Sequence, residues 1–375
     1  MPKIKKLISK DKNFYKELDA FISKRKQDSN SATENDKEII SKVRDYGDKA
    51  LIEFSKKFDS YNIENPKEFL ISKEEIKDSV EKINKDQKDA ISFAIENVKK
   101  FANKQKIEPW SFMMGETYLG QKVEAIEKIG IYVPGGSASY PSTVIMNAIP
   151  AKVAGVKEII MVVPTQSGKV NNLVIAAAHF CEIDKIYKIG GAQAIAALAY
   201  GTNVIPKVDK VVGPGNQYVS EAKRIVYGQV GIDQFAGPTE IAIIADKSAD
   251  KEIVAADIVG QAEHGYNSPG WVFTTDKSVA DYIMKRIPEL IAELPEGPRS
   301  SAEPAWRDYG EVILCDTDEE MAQISDQYAA EHLEVHAEKL DWWLKRLKNY
   351  GSLFLGEETT AVSYTHLTLP TICSV

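Results

Sequence analysis

The sequence predicts an α/β fold built on parallel β-sheets. A β-branched run, a glycine turn and an amphipathic helix pattern follow one another between Val208 and Val226, and Ile186–Tyr200 repeats this arrangement. Strand and helix patterns also alternate from residue 129 to 226, which is typical of a Rossmann-like sheet. A glycine turn that opens a helix leaves unpaired N–H groups where an anion can bind. Either segment alone is equally typical of an ordinary βα loop. Because parallel strands place both turns at one edge of the sheet, the repeat favours a ligand site there.

The elements are expected in the following order. Residues 1 to about 110 show helical apolar stripes, and strand patterns begin after Trp110. Beyond the alternating segment we predict further elements: a strand at 241–245, a helix from 253 to 264, a strand at 271–275, a helix at 279–294, a surface loop at 295–304, a strand at 310–315, a helix at 318–332 and a strand at 352–355. No strict Gly-x-Gly-x-x-Gly opens any helix, since Tyr218 stands where the third glycine would fall.

Composition excludes several classes of protein. The chain has 375 residues, a net charge of −8 and scattered basic residues, which argues against a nucleic-acid surface. Its three cysteines lie far apart, so neither a disulfide framework nor a cysteine-built metal site is expected. No apolar run reaches the length of a membrane span, and the N-terminus lacks the apolar core of a secretory signal. We therefore expect a cytoplasmic protein that contacts neither nucleic acid nor membrane.

Two polar pairs are candidates for chemistry. Gln261 and His264 stand at i, i+3 and would supply half of a metal site, although a histidine at a helix C-terminus also interacts favourably with the helix dipole. Glu331 and His332 place a carboxylate beside an imidazole. The two side chains are suited to act as a pair of catalytic bases, and an ion pair at a helix end is the alternative interpretation. His336 follows His332 at the spacing of a two-histidine metal pair. However, Leu333 occupies the place of the zincin glutamate, which argues against a metallohydrolase.

Several longer motifs together resemble the histidinol dehydrogenase family from about residue 25 to 360. They are, in order, Tyr132-Val-Pro-Gly-Gly136, the segment 146–155, Gly190-Gly-Ala-Gln193 and the helix after it, Gly213-Pro-Gly-Asn216, Ala236-Gly-Pro-Thr-Glu240, Gln261-Ala-Glu-His264, Glu331-His-Leu-Glu334 and Phe354-Leu-Gly356. So many motifs in one order are specific to that family.

The resemblance implies a zinc-containing, NAD-dependent homodimer that oxidises a primary alcohol to the aldehyde and then to the carboxylate. It also implies residue roles, matched by motif: NAD contacts by Tyr132, Gln193 and Asn216, zinc ligation by Gln261 and His264, catalysis by Glu331 and His332, and a substrate contact by Thr239. His332 would take the alcohol proton, and Glu331 would activate the water that attacks the aldehyde. This interpretation requires that His264 and His332 converge on one cavity.

The expected substrate is L-histidinol, which would place the enzyme in histidine biosynthesis. The glycine motifs resemble histidinol dehydrogenase itself, whereas Ala330, the loop 265–270 and Glu334-Val-His336 resemble the branch that contains sulfopropanediol 3-dehydrogenase. Oxidation of sulfopropanediol, in organosulfonate degradation, is therefore the alternative. A catalytically dead nucleotide-binding or interaction protein is a third possibility.

The resemblance also suggests domain boundaries. We expect a helical arm at 1–25, a Rossmann-like NAD-contacting domain at 130–236, and a second α/β domain that carries zinc and is made of 26–129 and 237–361. The family pattern stops after Thr360, and 362–375 resembles a translated sequencing adapter. We expect this tail not to belong to the gene and the C-terminal domain of the family to be missing. The chain would then bind zinc poorly and turn over slowly.

Overall fold

The computed structural model describes residues 5–18, 33–135, 140–234 and 239–359. These residues form two compact units. The central unit consists of the described residues of 29–236. The flanking unit consists of the described residues of 1–28 and of 237–363. The tail expected at 362–375 lies outside the described residues.

The strands and helices of both units are numbered in chain order. The first half of the chain contains β1 (Lys5–Ile8), α1 (Thr33–Tyr46), α2 (Asp48–Asp59), α3 (Lys73–Lys82), α4 (Lys85–Gln105), β2 (Trp110–Met114), β3 (Thr117–Gln121), β4 (Lys128–Tyr132), α5 (Pro141–Ala154), β5 (Glu158–Val163), α6 (Asn172–Phe180) and β6 (Lys185–Lys188). The second half contains α7 (Gly191–Tyr200), β7 (Lys210–Val212), α8 (Gln217–Val226), β8 (Gly231–Ile232), β9 (Ile241–Ala245), α9 (Lys251–Ala262), β10 (Gly270–Thr274), α10 (Lys277–Glu293), α11 (Glu296–Tyr309), β11 (Glu311–Leu314), α12 (Asp318–Tyr328), β12 (His332–His336), α13 (Leu340–Arg346) and β13 (Ser352–Leu355).

The central unit contains a five-stranded parallel sheet in the order β6-β5-β4-β7-β8. The chain runs outward from β4 to β6 and then returns to place β7 on the other side of β4. This reversal of strand order is the topological switch point of a doubly wound sheet. Apolar residues of α1, α2, α7 and α8 form the core on one face of the sheet. Those of α4, α5 and α6 form the core on the other face. The predicted α/β class and parallel sheet are confirmed.

The flanking unit contains a six-stranded parallel sheet in the order β1-β11-β10-β9-β12-β13. Alternate residues of its strands face two separate cores, as the period of a strand requires. Ile241 and Ile243 of β9 pack with α9, α10 and α11 in one core. Leu333 and Val335 of β12 belong to the other core, with α12 and α13.

The N-terminal segment differs from the expected helical arm. Its strand β1 pairs in parallel with β11 at the edge of the flanking sheet. The expected grouping of 26–129 with the C-terminal half also differs from the packing. Ile40, Val43 and Phe54 of α1 and α2 share a core with α7 and α8. Because apolar stripes specify only that a helix face is buried, they could not reveal which sheet covers that face.

Two other elements in the flanking unit were predicted wrongly. The segment 295–304, expected to be a surface loop, belongs mostly to helix α11. Pro298 lies in the first turn of this helix, where the missing N–H of proline removes no helical hydrogen bond. Trp306, on the inner face of the helix, is buried. The predicted helix at 318–332 ends earlier, because Ala329 adopts a left-handed conformation (φ 49°) that caps α12. His332 therefore begins a strand.

Strands β2 and β3 form an antiparallel hairpin whose residues are all exposed. Its large apolar side chains include Trp110, Phe112, Met114 and Tyr118, each about half exposed or more. Exposed apolar patches of this kind mark interaction surfaces. Across the part of the chain that the structure describes, every helix is too short or too polar to cross a lipid bilayer.

Candidate functional site

The glycine turns of the central unit meet at its switch point. Tyr132 ends β4, and its hydroxyl accepts a hydrogen bond of 3.1 Å from the backbone N–H of Gly191, the first residue of α7. Gly213 follows β7 with φ of 108°, and a Cβ there would lie 2.2 Å from the carbonyl oxygen of Tyr132. Glycine is therefore required at 213 by both conformation and space. Burial raises the pKa of Tyr132 to about 12, so its hydroxyl stays protonated at neutral pH.

Gln193 and Asn216 occupy the two helix starts but differ in environment. The Gln193 side chain is buried, and its amide oxygen would lie 2.8 Å from a Cβ at Gly191, so it folds over the turn. Asn216 is the N-cap of α8, where its side-chain oxygen accepts hydrogen bonds from the backbone N–H groups of Tyr218 and Val219. The Asn216 amide group stays exposed at the helix start, where a phosphate of a dinucleotide would be favoured.

An ion pair between the buried Lys223 and the partly exposed Asp233 fixes the turn at Gly213, and sequence reasoning missed it. The Lys223 ammonium is 3% exposed, donates to the carbonyl oxygen of Gly213 at 3.0 Å and pairs with the carboxylate of Asp233. Asp233 in turn accepts a 2.8 Å hydrogen bond from the N–H of Gly213. Both backbone groups of the glycine are thus held by one ion pair. The helical spacing of Lys223 gave no signal of this, because Asp233 lies beyond the next strand.

In the flanking unit, the two candidate bases stand immediately before and at the start of β12. The Nδ1 of His332 lies 3.0 Å from the carbonyl oxygen of Glu240, which accepts a hydrogen bond from that nitrogen when it is protonated. The ring stacks on Phe354 at 28° between planes. Glu331 is about half exposed, and its carboxylate accepts a 3.4 Å hydrogen bond from the N–H of Glu240. Thr239, the predicted substrate contact, directly precedes the residue that holds this pair.

The predicted zinc ligands occupy the C-terminal end of α9. Gln261 is in its last turn, is 4% exposed and has an amide nitrogen without a hydrogen-bond partner. His264 lies two residues beyond the helix end, so the helix predicted from 253 to 264 stops short of it. Its Nδ1 lies 3.0 Å from the carbonyl oxygen of Gly260. A carbonyl oxygen that accepts a hydrogen bond from Nδ1–H leaves Nε2 free as a metal ligand, which is the usual support of a ligating histidine.

Sheet register brings His264 and His332 to the same end of the flanking unit. His332 pairs with Ile241, which pairs with Gly270 on the other side of β9. Neighbouring strands lie about 4.8 Å apart, so Gly270 starts β10 roughly 10 Å from the start of β12. The loop from His264 leads directly into Gly270, with the N–H of Ile241 bonded to the carbonyl oxygen of Pro269. The Gln261–His264 and Glu331–His332 pairs therefore both lie at the edge of the sheet where β9, β10 and β12 begin.

Sequence reasoning also missed a buried polar cluster one turn away from Gln261. Asp257 of α9 faces Glu334 and His336 of β12, and their ligand atoms lie within 4.8 Å of one another. Burial and, second, the charge of Glu334 raise the pKa of the Asp257 carboxyl. The predicted helix at 318–332 gave no indication of this cluster, because it did not place residues 332–336 in a strand. Only in a strand do residues 332, 334 and 336 share a face.

Comparison with known proteins gives the family. A sequence model described as histidinol dehydrogenase matches residues 22–371. A "Histidinol dehydrogenase homolog" of Pelagibacter ubique is 51% identical over 328 residues, covering 86% of this chain and 76% of the relative. The sulfopropanediol 3-dehydrogenase of Ruegeria pomeroyi is 46% identical over 343 residues, 90% of this chain and 78% of the relative.

More distant relatives carry the same name. A histidinol dehydrogenase of Hydrogenovibrio crunogenus is 40% identical and covers 96% of this chain and 83% of its own. The crystal structure of histidinol dehydrogenase from Elizabethkingia anophelis matches with a TM-score of 0.89 and 34% identity, over 99% of this chain and 86% of that chain. The chain belongs to the histidinol dehydrogenase family, a family of NAD-dependent oxidoreductases.

Proposed function

We propose that this enzyme oxidises L-histidinol through the aldehyde to L-histidine, with His332 as the proton-accepting base. The observation that carries the proposal is the 3.0 Å contact between the Nδ1 of His332 and the Glu240 carbonyl oxygen. A carbonyl oxygen can only accept, so this contact favours the tautomer with its proton on Nδ1. The lone pair on Nε2 is then available for the alcohol proton, and backbone and Phe354 hold the ring in place.

Each oxidation step removes a hydride and a proton from the substrate. In the first, the O–H proton of the alcohol passes to Nε2 of His332 as hydride leaves the carbon, which gives the aldehyde. Glu331 then accepts a proton from water as the oxygen bonds to the aldehyde carbon, and the resulting gem-diolate loses a second hydride to give the carboxylic acid, which releases its proton to solvent. NAD, when bound, supplies the hydride acceptor for each step, so two molecules are reduced per alcohol. Tyr132, Gln193 and Asn216 are the proposed NAD contacts.

Gln261 and His264 fit a zinc ion by their chemistry. The amide oxygen of Gln261 and the Nε2 of His264, whose Nδ1 is engaged by a carbonyl oxygen, are an incomplete but suitable donor set. Zinc, when bound, would polarise and orient the alcohol oxygen. Residues 261 and 264 would hold it at the edge of the sheet where β9 and β12 begin, and a substrate with an imidazole or amine would supply a further ligand.

A homodimer is the proposed assembly. The exposed apolar hairpin β2–β3 supports it, because side chains such as Trp110 and Phe112 are costly to leave in water. A second copy of the chain is the partner that the family implies.

Sulfopropanediol is the alternative substrate. The 46% identity to the Ruegeria pomeroyi enzyme exceeds the 40% identity to the histidinol dehydrogenase of Hydrogenovibrio crunogenus, which is the specific observation in its favour. The same base, water activation and hydride transfer would act on either alcohol. The two substrates differ in the group that must be neutralised, a cationic amine in one and an anionic sulfonate in the other.

The test measures NADH formation by the purified protein with NAD and each alcohol separately. We expect two NADH per L-histidinol consumed and little reduction with sulfopropanediol. His332→Gln should lower kcat by on the order of 10²–10⁴-fold, the usual contribution of a positioned base. The matched control is His179→Gln, at an exposed histidine on α6 of the central unit. Faster turnover of sulfopropanediol would transfer the assignment to that substrate. Equal activities of the two variants would refute the role of His332.

A further inference from the structure

We propose that Asp257, Glu334 and His336 hold a divalent metal ion inside the flanking unit, at a site separate from Gln261 and His264. The three side chains offer two carboxylates and one imidazole, with ligand atoms all within 4.8 Å. Strand β12 supplies Glu334 and His336 from one face, and α9 supplies Asp257 from the helix that covers it. We call these three residues the inner triad.

The unsatisfied polar atoms of the inner triad are the first argument. Glu334 and His336 are fully buried, and neither the two carboxylate oxygens of Glu334 nor either ring nitrogen of His336 has a hydrogen-bond partner. One oxygen of Asp257 is in the same state. Buried polar groups are nearly always satisfied in native proteins, and each exception requires an explanation such as an ion. One ligand atom from each residue lies within 4.8 Å of the other two, so a single bound ion would satisfy all three side chains at once.

Distances give the second argument. The Nε2 of His336 lies 3.4 Å from the Oε2 of Glu334 and 3.9 Å from the Oδ2 of Asp257. Zinc binds nitrogen and oxygen at about 2.0–2.1 Å in a tetrahedral arrangement, which sets neighbouring ligand atoms roughly 3.4 Å apart. The first distance matches this value, and the second requires a movement of a few tenths of an ångström. Small rotations of the Asp257 side chain, which is 19% exposed, can supply it.

Charge balance gives the third argument. Two ionised carboxylates side by side in an apolar core repel each other and lose their hydration, which is costly unless an opposite charge lies between them. A divalent cation with a neutral imidazole neutralises both at once. The mixture of oxygen and nitrogen donors suits a borderline ion such as Zn²⁺. Because Asp257 is the only member of the inner triad that reaches the surface, the ion would enter along its side of α9.

The competing explanation is a protonated triad without metal, in which shared protons or an imidazolium supply the balance. The two differ in metal content, which does not depend on dehydrogenase activity. The experiment loads the full chain with Co²⁺ in a metal-buffered solution, removes excess ion, and measures bound cobalt by mass spectrometry and visible absorption. The variants are Glu334→Gln, His336→Gln and His264→Asn, with Glu319→Gln as an exposed carboxylate control on α12.

We expect the His264→Asn protein to retain about one ion per chain, with or without Glu319→Gln, and to lose it when Glu334→Gln or His336→Gln is added. Excess Zn²⁺ should also raise the unfolding midpoint of the His264→Asn protein, since an ion bound only to the folded state stabilises it. Should the triad variants fail to fold, the His264→Asn protein decides alone: a retained ion supports the site. Absence of bound metal in that protein, or equal metal in folded triad variants, would overturn the proposal.

Discussion

Lys223 and Asp233 form an ion pair that bonds to both the carbonyl oxygen and the N–H of Gly213. Gly213 lies at the point where the strand order of the central sheet reverses. The pair connects α8 to the segment after β8 and fixes the conformation of a turn that must admit a ligand. The switch point of this sheet is therefore held by side chains as well as by glycine.

Lys223→Met tests the contribution of this ion pair. The substitution leaves the N–H contact of Asp233 but removes its counter-charge and the donor to the Gly213 carbonyl oxygen. We expect a loss of about 1–3 kcal/mol in the free energy of unfolding, since the buried carbonyl oxygen of Gly213 loses its donor, while water can hydrate the partly exposed Asp233. The KM for NAD should rise roughly tenfold, which corresponds to about 1.4 kcal/mol. Urea unfolding and initial rates measure the two effects. Lys207→Met, at an exposed lysine of the same unit, should change neither.

Asp36 should make the stability of the central unit depend on pH. It lies fully buried on α1 without a hydrogen-bond partner for either oxygen. Burial, and then the charge of Glu221, raise its pKa to about 7. The folded state thus holds a proton that the unfolded state releases near pH 4. The unfolding free energy therefore decreases as pH rises from about 4 to about 7.

Asp36→Asn should remove this dependence, since the amide resembles the neutral acid. We expect the variant to be more stable than the parent by about 1–3 kcal/mol at pH 8, and by much less at pH 5. Urea unfolding at the two pH values measures the difference. A gain of the same size at both would show that Asp36 is not the titrating group.

Glu331→Gln separates the two oxidation steps. The amide can still accept the hydrogen bond from the Glu240 N–H but cannot take a proton from water. We expect alcohol oxidation to fall only a few-fold, while aldehyde oxidation falls by on the order of 10²–10³-fold. NADH formed from the aldehyde as starting substrate, and aldehyde trapped from the alcohol, are the measurements. Equal losses in both steps would assign Glu331 to positioning of His332.

The hairpin β2–β3 is the proposed contact with a second copy. Phe112→Asp places a charge among its exposed apolar side chains, so the dimer should dissociate at micromolar protein concentration. Light scattering after size-exclusion chromatography measures the mass. Because Phe112 is about half exposed, the fold should persist, and circular dichroism checks it. Phe93→Asp, at an equally exposed phenylalanine on α4, is the matched control. A dimer that survives the first substitution would place the interface elsewhere.

Local sequence patterns predicted the parallel sheets well and the polar sites only in part. The alternation of strands and glycine turns from 129 to 226 corresponds to observed strands and helices. It was predictable because β-branched runs favour strands and glycines favour turns through local conformational preference. Helical periodicity was misleading at Glu331-His332, where a left-handed Ala329 ends α12 and a strand begins. No local pattern marks such a residue, since alanine ordinarily favours helix. The Lys223–Asp233 pair and the inner triad depend on contacts between separate elements, which spacing along the chain cannot show.

The alternation of β12 also limits how the chain can change. Leu333 and Val335 fill one core, while His332, Glu334 and His336 line the opposite side. Inserting or deleting a single residue between Tyr328 and His332 would shift the strand by one position relative to β9. The imidazoles would then point into the apolar core, and the aliphatic side chains would point to the polar side of the strand. Single side chains of this segment can therefore be substituted, but the number of residues between Tyr328 and His332 must stay the same.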